Sequence, residues 1–123
     1  MDIFAHGMWA GAAAFAANRR LKRPVRLRWA ALWGMFPDLA AFTPAFLVAS
    51  WTAAAARAPI TNRFFFLGRG VRDLLPVFLR PEELYHVSHS LVFFALAFGL
   101  VWWLRKSPAL AMLGWPLHIL FDI

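Results

Sequence analysis

The feature that most constrains this chain is the stretch YHVSHSLVFFALAFGLVWWL, Tyr85 to Leu104. It holds no Asp, Glu, Lys or Arg. A helix rising 1.5 Å per residue needs about 20 such residues to cross a hydrocarbon core of about 30 Å. Three further apolar stretches accompany it: Ile3 to Ala17, about Trp29 to Ala56 with Asp38 as its one charge, and Pro108 to the chain end. Apolar residues make up 62% of the chain, with seven Trp and thirteen Phe, and mean hydropathy is +0.59. Soluble domains are roughly 45–50% apolar, so the pattern predicts an all-α, polytopic membrane bundle of about four helices.

The expected organisation is a single membrane domain over residues 1–123, with helices over about 3–18, 28–56, 84–104 and 108–123 and a loop over 57–83. Pro37 and Pro44 are expected to kink or split the second helix. The fourth stretch is short and stops inside an apolar run, which reads as a truncated chain. The triplet AFA, Ala14 to Ala16, imitates a signal-peptide cleavage site. Asp2 stands where such a peptide carries positive charge, however, and the basic cluster follows the apolar stretch. A retained first helix is the expectation.

The net charge of +7 sits between the apolar segments. NRRLKRPVRLR, Asn18 to Arg28, holds six Lys or Arg, and Arg105–Lys106 adds two. The loop over 57–83 carries five Arg more thinly, offset by Asp73, Glu82 and Glu83 around it. The positive-inside rule then places the dense loops in the cytoplasm and the N-terminus outside. Such a run beside an apolar segment reads as a membrane anchor, and no nucleic-acid partner is expected. Phe64 to Leu84 mixes bulky apolar residues with Arg, as either an amphipathic surface segment or a connector. With no cysteine, disulfides, thiolate metal sites and Cys nucleophiles are excluded.

The ionisable residues within the apolar stretches are His6, Asp38, His86, His89, His118 and Asp122, and they include every histidine of the chain. Such groups are costly in a bilayer and tend to be paired, metal-bound or functional. His86 and His89 are spaced i, i+3, and His118 and Asp122 i, i+4, so each pair is expected on one helix face. Imidazole and carboxylate together suit zinc or a similar divalent ion. With the inferred topology all six can share one outer-leaflet layer; Asp38 lies about ten residues along its helix, roughly 15 Å, at the midplane or slightly beyond. Each also has a plainer reading. His6 and His86 can be interfacial, Pro37–Asp38 can begin a new helix as a cap, and His118 with Asp122 can join helices as a hydrogen-bonded pair.

Four motifs carry a resemblance: His6 followed by Gly7, FPDL around Asp38, YHVSHSL around His89, and GWPLHILFDI around His118 and Asp122. In this order, over essentially the whole chain, they resemble the bacterial membrane-bound metal-dependent hydrolase family. That family is similar in ligand pattern to zinc-dependent phospholipases C, which are helical. The resemblance implies metal-site roles for Asp38, His89, His118 and Asp122. His6 matches an early family histidine, while His86 falls where relatives vary. Members tend to continue beyond HILFDI with another His-bearing motif.

The implied function is a metal-dependent hydrolase in the bacterial inner membrane. It would use zinc, or alternatively manganese, on a lipid or lipid-linked phosphoester, with Asp38 or Asp122 as ligand or general base. Arg69 and Arg72 are candidate phosphate contacts or interfacial anchors. The alternative is a non-enzymatic multi-pass protein whose His and Asp residues serve helix packing or proton and ion handling. A serine hydrolase is disfavoured. Ser88 and Ser90 flank His89, but sequence neighbours on a helix do not face one another and no nucleophile elbow is present. The residues leave the oligomeric state open.

Overall fold

A computed structural model of the chain describes residues 2–55 and 75–122. Most of the expected loop, with Arg69 and Arg72 and the larger part of the Phe64–Leu84 stretch, lies outside the described residues. Among the described residues the fold is all-helical: α1 (Ile3–Asn18), α2 (Leu27–Ala55), α3 (Pro81–Ser88), α4 (Leu91–Arg105) and α5 (Gly114–Phe121), with short 3-10 turns at Val77–Leu79 and Leu110–Leu113. The chain forms two compact units, Met1–Leu39 with Ser88–Ile123, and Ala40–Val87. The second has its own small core of Ala45, Ala49 and Leu75, with Val48 and Leu79 against it.

Local chemistry explains the helix boundaries. Asp2 caps α1, its carboxylate accepting from Ala5 N at 2.9 Å. Asn18 closes the other end with two hydrogen bonds, Nδ2 to Val25 O at 2.8 Å and Val25 N to Oδ1 at 2.7 Å. This clasp ties the basic loop into a fixed turn before α2. Neither Pro37 nor Pro44 splits α2, which runs unbroken through both, so Asp38 is a mid-helix residue and caps no new helix. One missing ladder bond at each proline costs less than two new helix ends, which would leave four N–H and four C=O groups without intrahelical partners.

The stretch expected as one helix over 84–104 is two. Helix α3 stops at Ser88, and His89 lies in a turn. Ser90 then caps α4, its Oγ accepting from Phe93 N at 3.3 Å. The carbonyl of Ser88, which a continuous helix would offer to Val92, instead accepts the Trp115 indole N–H at 2.6 Å. By length and apolarity α2 passes as a membrane span alone, over Leu27–Thr52, and α3 with α4 passes when counted together. The last stretch contains only the eight residues of α5 after its 3-10 turn.

Within the first unit, α5 is the hub, and it is held by absent side chains. A Cβ on Gly114 would collide with the backbone carbonyl of Ala30 and stand 2.8 Å from Gly34 N. A Cβ on Gly34 would meet Ala10 Cβ at 2.5 Å and His6 O at 2.8 Å. Gly7 faces Met35 just as closely, at 2.6 Å. Small residues at Gly7 and Ala10 on α1, at Ala30 and Gly34 on α2 and at Gly114 on α5 thus let three helices approach closely, as small residues do in helix packing. Beside this seam, Trp115 (3% exposed) stacks on Trp33 at 5.9 Å and meets Phe36 and Phe94 edge-on at 4.9 and 5.7 Å.

What is buried and what is exposed reverses the soluble pattern. The buried set is dominated by Ala together with His6, Asp38, Ser88 and His118, while Phe4, Trp9, Phe46, Trp51, Leu96 and Trp103 are more than half exposed. In water such a surface would be an extended apolar patch. The glycine seam yields a paired prediction. Gly114→Ala should destabilise the protein by about 1–3 kcal/mol, because only backbone is there to yield. Gly99→Ala on α4, where nothing lies within 4 Å, should be neutral or add up to about 1 kcal/mol of helix propensity. Thermal unfolding of the two variants, compared with the parent, measures the difference.

Candidate metal centre

Four side chains converge at one end of this packed unit. Asp38 comes from the middle of α2, His89 from the turn after α3, and His118 and Asp122 from the last turn and end of α5. Each offers one ligand atom, and the four atoms lie within 4.8 Å of one another. Five of the six separations are explicit. His89 Nε2 is 3.0 Å from His118 Nε2, 3.3 Å from Asp122 Oδ2 and 3.7 Å from Asp38 Oδ1. His118 Nε2 is 3.3 Å from Asp122 Oδ2 and 3.5 Å from Asp38 Oδ1. A tetrahedron of N and O ligands at bond lengths of about 2.0–2.1 Å has edges of roughly 3.3 Å. These four residues could therefore hold a metal ion.

Hydrogen bonds behind the two imidazoles aim them. His118 Nδ1 is 2.6 Å from Gly34 O, and a carbonyl only accepts, so Nδ1 carries the proton. In the neutral ring Nε2 is then left with its lone pair toward the other three ligand atoms. His89 Nδ1 sits 3.1 Å from Ser88 Oγ, a hydroxyl that can donate to the ring or accept from it. Metal-binding histidines typically anchor the second nitrogen on such a group, which fixes tautomer and orientation. The side chains of His118 and His89 are 0% and 9% exposed, and those of Asp38 and Asp122 13% and 17%. The carboxylates thus lie on the more open side.

His6 is brought to the same place from α1, but outside the group of four. Its ring lies against that of His118, with centroids 3.8 Å apart. Its Nε2 is 3.1 Å from Asp122 Oδ1, although off the line of a hydrogen bond, and neither ring nitrogen makes one. Asp122 therefore presents Oδ2 to His89 and His118 and Oδ1 to His6. His86 is different. It is exposed on α3 beside Tyr85, with the two rings edge-to-face, and is not one of the four. The expectation that His86 and His89 share a helix face fails because the helix ends between them, at Ser88.

Three supporting contacts escaped the sequence reading: the Gly34 carbonyl under His118, the Ser88 hydroxyl on His89, and the Trp115 indole that holds the chain at Ser88. Only the glycine in WGMFPDL and the tryptophan in GWPLH hint at them. Compared with known proteins, the chain matches no family model, no curated protein and no solved structure.

The geometry predicts one divalent ion per chain, measured by elemental analysis after dialysis against zinc. His118→Ala and Asp38→Ala should abolish stoichiometric retention. Ser88→Ala and His6→Ala should weaken affinity by about 10–100-fold, as loss of a group supporting a ligand does. His86→Ala should leave it unchanged.

Proposed function

We propose that the chain is a membrane-embedded, metal-dependent hydrolase acting on a lipid or lipid-linked phosphoester. The observation that carries this reading is the two-His, two-Asp group with both rear imidazole nitrogens engaged. The resemblance to the bacterial membrane-bound metal-dependent hydrolases supports the same residues. The donor set fits zinc, with manganese as the alternative, since imidazole and carboxylate serve both. Bound there, a divalent ion supplies Lewis acidity, acidifying water and polarising a phosphoryl oxygen.

The protein's own residues have separable parts in this proposal. His89 and His118, more deeply buried, hold the ion by Nε2. Gly34 O and Ser88 Oγ keep those rings from turning. Asp38 and Asp122, on the more open side, are ligands, and either carboxylate is placed to take a proton from water. His6 packs against His118 and lies beside the second oxygen of Asp122. The apolar exposed surface supports insertion in a bilayer, with α2 as one span and α3 with α4 as a broken second span. A bacterial inner membrane with the N-terminus outside belongs to the same proposal, and a lipid substrate would then meet the site from the membrane.

A second reading has an observation of its own. Four protein ligands saturate a tetrahedral ion, and saturated zinc sites are structural, whereas catalytic ones keep a position open. The same group would then be a metal staple of a non-enzymatic membrane protein. One experiment separates the two. The purified chain, loaded with zinc or manganese in mixed micelles, is given a chromogenic phosphodiester lipid. Turnover that disappears with chelator and in His118→Ala supports the hydrolase. Stoichiometric metal that raises the unfolding temperature without any turnover supports the staple.

A further inference from the structure

Beside the glycine seam lies a second feature that the metal centre does not use. A cavity of about 320 Å³ runs along α1 to the loop before α2. Ala10, Ala14 and Ala17 line it from α1, Leu117 from α5, and Leu21 and Val25 from the loop. Its walls are entirely Ala, Leu, Val and Gly, and its volume is that of a small-ligand site, for which about 300–1,000 Å³ is usual. Ala17 is exposed, so the cavity opens at the protein surface. None of the four residues of the metal group lines it.

The loop end of the cavity is chemically distinctive. Leu21 and Val25 are half-buried walls, while Arg19, Arg20, Lys22, Arg23, Arg26 and Arg28 around them are exposed. The Asn18–Val25 clasp keeps this arrangement in one shape. An aliphatic slot bounded by a loop of exposed cations matches one class of ligand: a hydrocarbon chain with an anionic head. A second copy of this chain, with the same positive charge, is repelled from that rim. No wall residue supplies a side-chain polar group to hold a peptide.

We propose that this cavity is a binding site for an anionic phospholipid, with one acyl chain in the slot and the phosphate on the basic loop. The site rests on the membrane part of the functional reading and is independent of the metal. Each Lys or Arg near an anionic surface adds to the attraction, so two or three effective contacts give a clear headgroup preference. The acyl slot adds what a merely basic surface lacks, a place where a single lipid stays.

Native mass spectrometry of the full chain, delipidated in detergent and titrated with phosphatidylglycerol or phosphatidylcholine of identical acyl chains, tests this. One phosphatidylglycerol should be retained per chain, at least about tenfold more tightly than phosphatidylcholine. Ala14→Phe fills the slot and should lose that retained lipid. Arg20→Gln with Lys22→Gln and Arg23→Gln, all exposed, should erase the headgroup preference without disturbing the fold. Equal retention of the two lipids by the parent chain would overturn the proposal. So would an Ala14→Phe protein of unchanged helical content that keeps phosphatidylglycerol, since the loop would then attract headgroups without seating a chain. Recovery of the chain in the soluble fraction without detergent would instead overturn the membrane reading on which the site rests.

Discussion

The close approach of three helix backbones at Gly7, Gly34 and Gly114 is the constraint on which the rest of the structure depends. Helix α5 has only eight residues, too few to be stable alone. It is positioned because Gly114 rests directly on the backbone of α2, and because Trp115 fills the aromatic pocket beside that contact. One turn further along, His118 reaches Gly34 O, and Asp122 follows at the helix end. A side chain at Gly114 would push α5 away and carry His118 and Asp122 with it. Packing and metal chemistry are thus consequences of the same missing Cβ atoms.

Two chemistries adjoin the seam. Imidazoles and carboxylates meet in a small polar cluster whose rings are locked from behind. Aliphatic walls that include Ala10, Ala30 and Gly114 lead to a clasped basic loop. A membrane protein gains little from burying Leu against Leu, because lipid is just as apolar, so its interior is free to hold small residues and functional polar ones. The buried alanines and histidines beneath a surface of Phe, Trp and Leu fit that logic.

Much of the site was legible because its spacing is local. His118 and Asp122 are four residues apart on α5, and Asp38 is the lone charge of a long apolar run. An all-helical fold followed from the apolar segments. Other features depend on tertiary contacts that no periodicity reveals. The break at His89 needs Trp115 to capture the Ser88 carbonyl, and without that break His86 and His89 would share a face. The prolines were expected to kink or split α2; it is not split, since two missing hydrogen bonds cost less than two uncapped ends. His6 was visible as a histidine in an apolar helix, but its place against Asp122 and His118 comes from tertiary packing.

The central claim is that Asp38, His89, His118 and Asp122 close around one divalent ion. X-ray absorption spectroscopy of the purified, zinc-loaded chain measures this directly. The account predicts a first shell of N and O ligands at about 2.0–2.1 Å with no sulfur, and outer-shell scattering from two imidazoles. A shell of water-like oxygens with scattering from one imidazole or none would contradict it.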